Sequence, residues 1–218
     1  MTATALTNAT TPQLRREPSV ICHFATQLAQ TQAVAASGGE TGVVFLGDSI
    51  TQGWAWVGDT WGSTWVPRKS LNFGIGGDQT GHLLFRLQNG LLDGLKPQAV
   101  VQLIGVNNCW SQPADDEVAA GIDACLAAVR TVQPTVRLLT LGVLPLDQGC
   151  AHLDPLVRRI NARLPASAQR HGSDFRDVGD VLRSSNGAVL PGITTDGCHL
   201  HPAGYAKLCA EVLAWYGK

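Results

Sequence analysis

Apolar runs alternate along the chain with segments whose apolar positions recur at helical spacing. Residues 43–46, 70–73, 99–104, 136–143 and a shorter 173–178 read as strands. Their nearly unbroken apolar character suits a parallel sheet covered on both faces, where no side of a strand meets water. Between them, Val118, Ile122, Cys125, Leu126 and Val129 recur at helical spacing, with Asp115, Asp116 and Glu117 in the first turn and Arg130 at the end. Acid at the start and base at the finish is the order a helix dipole favours. Leu83, Leu84 and Leu87 predict a shorter helix with Asp78 near its start and Gly90 as its stop. Leu153, Leu156, Val157, Ile160 and Leu164 predict another, which Pro165 is expected to kink or end. Pro202 opens a last helix with Tyr205, Leu208, Cys209, Val212 and Leu213 inward, and a leading helix is expected over 23–35. The pattern predicts a three-layer α/β/α sandwich around a central, mainly five-stranded parallel sheet. Residues 18–218 are expected to form one domain. Residues 1–17, rich in Thr and Ala, are expected to be a disordered tail.

In such sheets ligands bind beyond the carboxyl ends of the strands. Ser49 follows the first strand, within Gly47-Asp48-Ser49-Ile50; Gly74 to Gly77 follow the second, and Asn107 the third. Asp196 and His199 lie in the loop before the last helix. All are therefore expected at one edge of the sheet. Acyl transfer by a serine needs a base for its proton, an anion to orient that base, and donors for the tetrahedral oxyanion. Ser49, His199 and Asp196 are the candidates for nucleophile, base and orienter. The backbone N–H groups of Ser49 and Gly77 and the amide of Asn107 are the candidate donors. Gly77 is placed just before a helix start, where free N–H groups favour negative charge. Asp48 is expected to fix the turn by hydrogen bonds.

Gly47-Asp48-Ser49, Gly77, Asn107 and Asp196-x-x-His199 match, in order, the four blocks of the SGNH (GDSL-type) hydrolase family, and the chain resembles that family over about residues 40–215. Residues 71–78, Leu87-Gln88-Asn89-Gly90, Lys96-Pro97 and His199-Leu200 followed by Gly204-Tyr205 look like the branch of the platelet-activating factor acetylhydrolase catalytic subunits and their bacterial relatives. The resemblance implies a flavodoxin-like sandwich and an esterase with Ser49 as nucleophile, Asp196 and His199 completing the triad, and Gly77 and Asn107 completing the oxyanion hole. It implies short acyl esters, acetyl above all, and suggests a homodimer. Val106 is a departure, since relatives often carry Thr before the corresponding Asn.

Other readings stand beside this one. A lysophospholipase or thioesterase would take longer chains, and a binding subunit would use the same fold without catalysis. Asp196, His199 and His201 could be read as metal ligands, but a triad also accounts for Ser49, so no metal or cofactor is expected. Ile50, Val106 and Cys198 are expected to line an acyl pocket by adjacency to the nucleophile. Trp54, Trp56, Trp61 and Trp65, with Trp110, could wall a site for sugar rings or acyl chains, or equally pack a loop or a dimer contact. His23, His82, His152 and His171 carry no partner pattern and are expected at the surface or on helices. A net charge of -1 without a Lys/Arg cluster argues against a nucleic-acid surface. No apolar stretch is long enough to cross a bilayer, so no membrane insertion is expected. The six cysteines show no metal-like spacing, and without a secretory leader a reducing cytoplasm is the default expectation.

Overall fold

A computed structural model of the chain describes residues 8–217. The apolar run 43–46 becomes an inner strand because both its edges and both its faces are covered. Strands β1 (Glu40–Gly47), β2 (Leu71–Gly74), β3 (Lys96–Leu103), β4 (Arg137–Leu141) and β5 (Asp174–Arg176) form one parallel sheet in the order β2-β1-β3-β4-β5. Gly47 pairs in register with Gly74 on one side and Leu103 on the other, so the first three strands finish level. The chain leaves β1 toward one edge and crosses back beyond it to β3. That reversal opens the crevice where such sheets bind ligands.

The helices are α1 (Pro18–Ala36), α2 (Ser49–Gly53), α3 (Thr80–Gln88), α4 (Asp115–Val132), α5 (Asp154–Arg170), α6 (Gly179–Leu182) and α7 (Pro202–Tyr216). Helices α3, α4 and α5 pack side by side on one face. Helix α1 joins them through Phe24 against Phe85, edge to face at 6.3 Å. The other face is aromatic. Trp54, Trp61 and Trp65 stand edge-on around Phe45 of β1, with centroids 5.1, 5.4 and 4.9 Å away. Helix α7 closes over them with Tyr205 against Trp54 at 5.8 Å and Tyr216 against Trp65 at 6.3 Å. These rings remove large apolar areas from water and hold the segment after α2 against the sheet. Of the four tryptophans that follow Ser49, three are therefore core, and Trp56 alone is exposed.

Two elements depart from expectation. Helix α5 continues through Pro165 to Arg170. Pro165 is exposed, while Ser167 and Ala168 beyond it are buried, so packing carries the helix past the missing N–H. Residues 8–17, expected in a disordered tail, lie against α3 and α4: Ala9 is buried, and the Gln13 N–H donates to Gly81 O at 3.0 Å. Backbone hydrogen bonds and one arginine seat this segment, and neither leaves a mark in hydrophobic periodicity. Residues 1–7 of the expected tail fall outside the described residues. Among the described residues no helix is long and apolar enough to cross a membrane.

Burial separates the tryptophans energetically. Trp65→Ala should cost about 3–5 kcal/mol in chemical denaturation, as large aromatic truncations in cores do. Trp56→Ala, 65 % exposed, should stay within about 0.5 kcal/mol of the parent. Equal losses at the two positions would contradict the aromatic layer described here.

Candidate active site

Ser49 owes its position to the end of β1. The chain turns at Asp48, whose Oδ1 accepts the Ile50 N–H at 3.0 Å and caps α2, as expected of this residue. Ser49 is then the first helical residue, and the N–H groups of a first turn have no partner within the helix. The buried Tyr205 hydroxyl donates to Ile50 O at 2.7 Å and pins this short helix to α7.

The loop before α7 is closed by a bridge between Thr194 and Leu200, with the Thr195 N–H donating to His199 O at 2.8 Å. Gly197 turns inside it at φ +91°, and a Cβ there would stand 2.2 Å from Asp147 O, so glycine is required. Asp196 Oδ1 accepts the N–H groups of Cys198 and His199 at 3.0 and 2.8 Å. Asp196 Oδ2 lies 2.7 Å from His199 Nδ1, and His199 Nε2 lies 2.9 Å from Ser49 Oγ. A carboxylate on Nδ1 places the imidazole proton there and leaves Nε2 to accept from the serine hydroxyl. Partial burial works against ionisation of Asp196, but the bonds from His199 and the two backbone N–H groups outweigh it and hold the carboxyl at about 2.

Gly77 and Asn107 come from the loops after β2 and β3. Helix α3 begins only at Thr80, so Gly77 stands three residues before it and not immediately before it as expected. What aims its N–H is the loop itself. Gly77 sits at φ +80°, and three carbonyls of the segment leading to it are taken up elsewhere. Phe73 O accepts from Arg86 Nη1 at 2.8 Å, Gly74 O from Gln27 Nε2 at 3.1 Å and Gly76 O from Arg15 Nη1 at 2.5 Å. Gln52 Oε1 receives the Gly76 N–H at 2.7 Å. Among the described residues the Gly77 N–H has no acceptor. Asn107 Nδ2 donates one hydrogen to Asp78 O at 3.0 Å, which orients the amide and leaves its second hydrogen unused. A serine hydroxyl, a correctly protonated imidazole and donors of this kind are together what acyl transfer requires.

Of the expected pocket residues, Ile50, Val106 and Cys198 are buried, and burial pushes the Cys198 thiol up to about 12, so it stays neutral and apolar. Trp110 is 47 % exposed and stands one 3-10 turn beyond Asn107, on the same side of that turn. Sequence reasoning missed Arg15, Gln27, Gln52 and Arg86. Arg86 had one signal: a charged residue among Leu83, Leu84 and Leu87 on the inward side of α3. All four histidines that carry no partner pattern in the sequence have partners in the structure, His152 Nδ1 lying 3.2 Å from Gly149 O. His82 Nδ1 accepts the Gln79 N–H at 2.9 Å, His171 Nε2 meets Asp123 at 3.0 Å, and His23 Nδ1 meets Gln52 at 3.3 Å.

The GDSL-like lipase/acylhydrolase family profile matches residues 45–207. Subunit alpha2 of platelet-activating factor acetylhydrolase IB from Rattus norvegicus is 35% identical over 171 residues, which cover 78% of this chain and 73% of that one. Among solved structures, a GDSL-like lipase from Bacteroides thetaiotaomicron shares the fold with TM-score 0.72 at 21% identity, covering 89% of this chain and 97% of its own. An acetylxylan esterase from Geobacillus stearothermophilus does so with TM-score 0.63 at 19% identity, covering 82% and 94%. At those identities the two structures speak to fold alone.

Asp48 gives the site a pH signature. Burial, first, and the nearby Asp78 raise its carboxyl from 3.8 to about 7. A raised carboxyl holds a proton in the folded protein that the unfolded chain has released, so its contribution is full below about pH 4 and lost as pH rises through about 7. Asp48→Asn keeps an acceptor for the Ile50 N–H and cannot titrate. The melting temperature of the parent should therefore fall more between pH 5 and pH 8 than that of the variant, and parallel curves would contradict the assignment.

Proposed function

Because the chain belongs to the GDSL-like lipase/acylhydrolase family, we propose that it is a serine esterase that hydrolyses short-chain, acetyl-type carboxylic esters through an acyl-enzyme on Ser49. The observation that carries this reading is the continuous relay from Ser49 Oγ through both nitrogens of His199 to Asp196. Ser49 Oγ attacks the ester carbonyl carbon while its proton passes to His199 Nε2. The carbonyl oxygen becomes an oxyanion, taken up by the N–H groups of Ser49 and Gly77 and the free hydrogen of the Asn107 amide. Collapse of this intermediate breaks the bond to the alcohol oxygen, which leaves with the proton from His199. Water then repeats the sequence on the acyl-enzyme, His199 taking its proton and returning it to Ser49 as the carboxylic acid departs. Asp196, kept ionised at neutral pH, stabilises the imidazolium in both halves.

The preference for small acyl groups rests on the apolar residues beside the nucleophile. Ile50, Val106 and Cys198 are each closely packed. The alcohol side is different. The side chains of His199 and Asp196 are 46% and 55% exposed, so the relay opens to solvent on the side from which a leaving alcohol departs. Trp110 at the rim offers an apolar ring face to such a group, and acetylated carbohydrates are the alcohol class this arrangement favours.

Hydrolysis of p-nitrophenyl acetate, butyrate and octanoate tests the proposal. Acetate should be turned over fastest, Ser49→Ala and His199→Ala should each lose about four orders of magnitude or more in kcat, and Asn107→Ala about a hundredfold. Preference for octanoate would favour a lysophospholipase or thioesterase. A parent no faster than Ser49→Ala on all three esters would leave a binding subunit as the better reading.

A further inference from the structure

We propose that residues 8–17 form a strap that positions both oxyanion loops, and that Arg15 is its positioning residue. The inference rests on the reading of Ser49, Gly77 and Asn107 given above, and assigns a catalytic consequence to a segment outside the matched region.

The strap touches each loop at one defined node. On the Gly77 side, Arg15 Nη1 donates to Gly76 O at 2.5 Å and lies 3.3 Å from Asp78 Oδ1. Its guanidinium covers Gly77 so closely that a Cβ there would stand 3.0 Å from Nη1. The peptide unit whose N–H is the proposed donor is thus held through its own carbonyl neighbour, by a planar group with few ways to move. On the Asn107 side the node is Thr80. Its hydroxyl donates to Ala9 O of the strap at 2.8 Å and accepts from Asn108 Nδ2 at 3.2 Å, while its N–H donates to Asn108 Oδ1 at 3.0 Å. The strap itself is seated without slack: a Cβ on Gly81 would meet Thr11 O at 2.5 Å and Asn8 O at 2.8 Å.

Charge balance does not explain Arg15. Asp78 already has a buried partner in Arg86 at 2.8 Å, and the side chain of Arg15 is 18% exposed, well out of water. Glu17 meets the outer edge of the guanidinium at 2.8 Å and is itself exposed, so water screens it. What remains is a cation and a fork of donors set beside the peptide where negative charge develops, the place where fixed donors lower a barrier most. A displacement of about 1 Å in such a group can cost about a hundredfold in rate.

The test uses the full chain with Arg15→Ala, Arg15→Lys and the exposed neighbour Arg16→Ala, assayed on p-nitrophenyl acetate beside Ser49→Ala. Arg15→Ala should lose about ten- to a hundredfold in kcat with KM little changed, and bind an alkyl boronic acid, a tetrahedral mimic, more weakly by a similar factor. Added guanidinium ion should restore part of the rate, Arg15→Lys should lie between, and Arg16→Ala should match the parent. Parental kcat in Arg15→Ala with an inactive Ser49→Ala overturns the strap and spares the esterase reading, whereas an active Ser49→Ala removes that reading itself. Should Arg15→Ala fail to fold, Arg15→Lys decides: parental kcat and boronate affinity there would reduce Arg15 to a structural residue and overturn the proposal.

Discussion

Arg86 is buried where β1, β2 and α3 meet, and its side chain reaches all of them. Nη2 donates to Gly47 O at 3.1 Å, the carbonyl from which the chain turns toward Ser49. Nη1 donates to Phe73 O at 2.8 Å, from which the chain enters the Gly77 loop. Its charge is met by Asp78, with Nε 2.9 Å from Oδ2. A buried pair of this kind is weak evidence for stability in itself, because desolvation offsets much of the attraction. What it does supply is geometry. Removing Asp78 would strand the Arg86 charge beneath the site, at about 3–5 kcal/mol, and removing Arg86 would free two strand ends that must stay level.

From this point the site is built outward by polar side chains that bond to backbone. Gln52, Asn72 and Gln27 each hold a group of the 74–76 turn, at 2.7, 3.0 and 3.1 Å. Arg15 completes the ring of contacts from outside the domain's regular elements. The consequence is a loop in which the carbonyls of Phe73, Gly74 and Gly76 each accept from a fixed side chain, which leaves the N–H of Gly77 available as the proposed oxyanion donor without reorganisation. Asp196 and His199 need less support, because one carboxylate binds two backbone N–H groups and the imidazole of the same short loop. Rigidity on the donor side and self-containment on the base side meet at Ser49.

Much of this was legible in the sequence, and what was not shares one cause. Every expected strand lies within a few residues of its place, because apolar runs report burial on both faces. Ser49, Asp196 and His199 were legible from ordered motifs, and the structure brings them within hydrogen-bond distance. Arg86, Gln52 and Arg15 were not, since they bond to carbonyls and an amide, which every residue possesses and no motif marks. The tryptophans after Ser49 left a site wall and loop packing equally open, because closeness in sequence suits both. Three of them turned out to point along the sheet into Phe45, as side chains on the far face of a short helix can. For a related reason Pro165 does not end its helix: the burial of Ser167 and Ala168 beyond it outweighs the local penalty.

The central claim is that Ser49 carries the acyl group during turnover. Rapid acid quench of the protein during hydrolysis of p-nitrophenyl acetate, followed by peptide mass spectrometry, measures this directly. The account predicts a single acetyl group on the peptide containing Ser49, formed in the parent and absent from His199→Ala. Hydrolysis that proceeds at the parental rate with no acyl group on Ser49, or with the label on another residue, would contradict it.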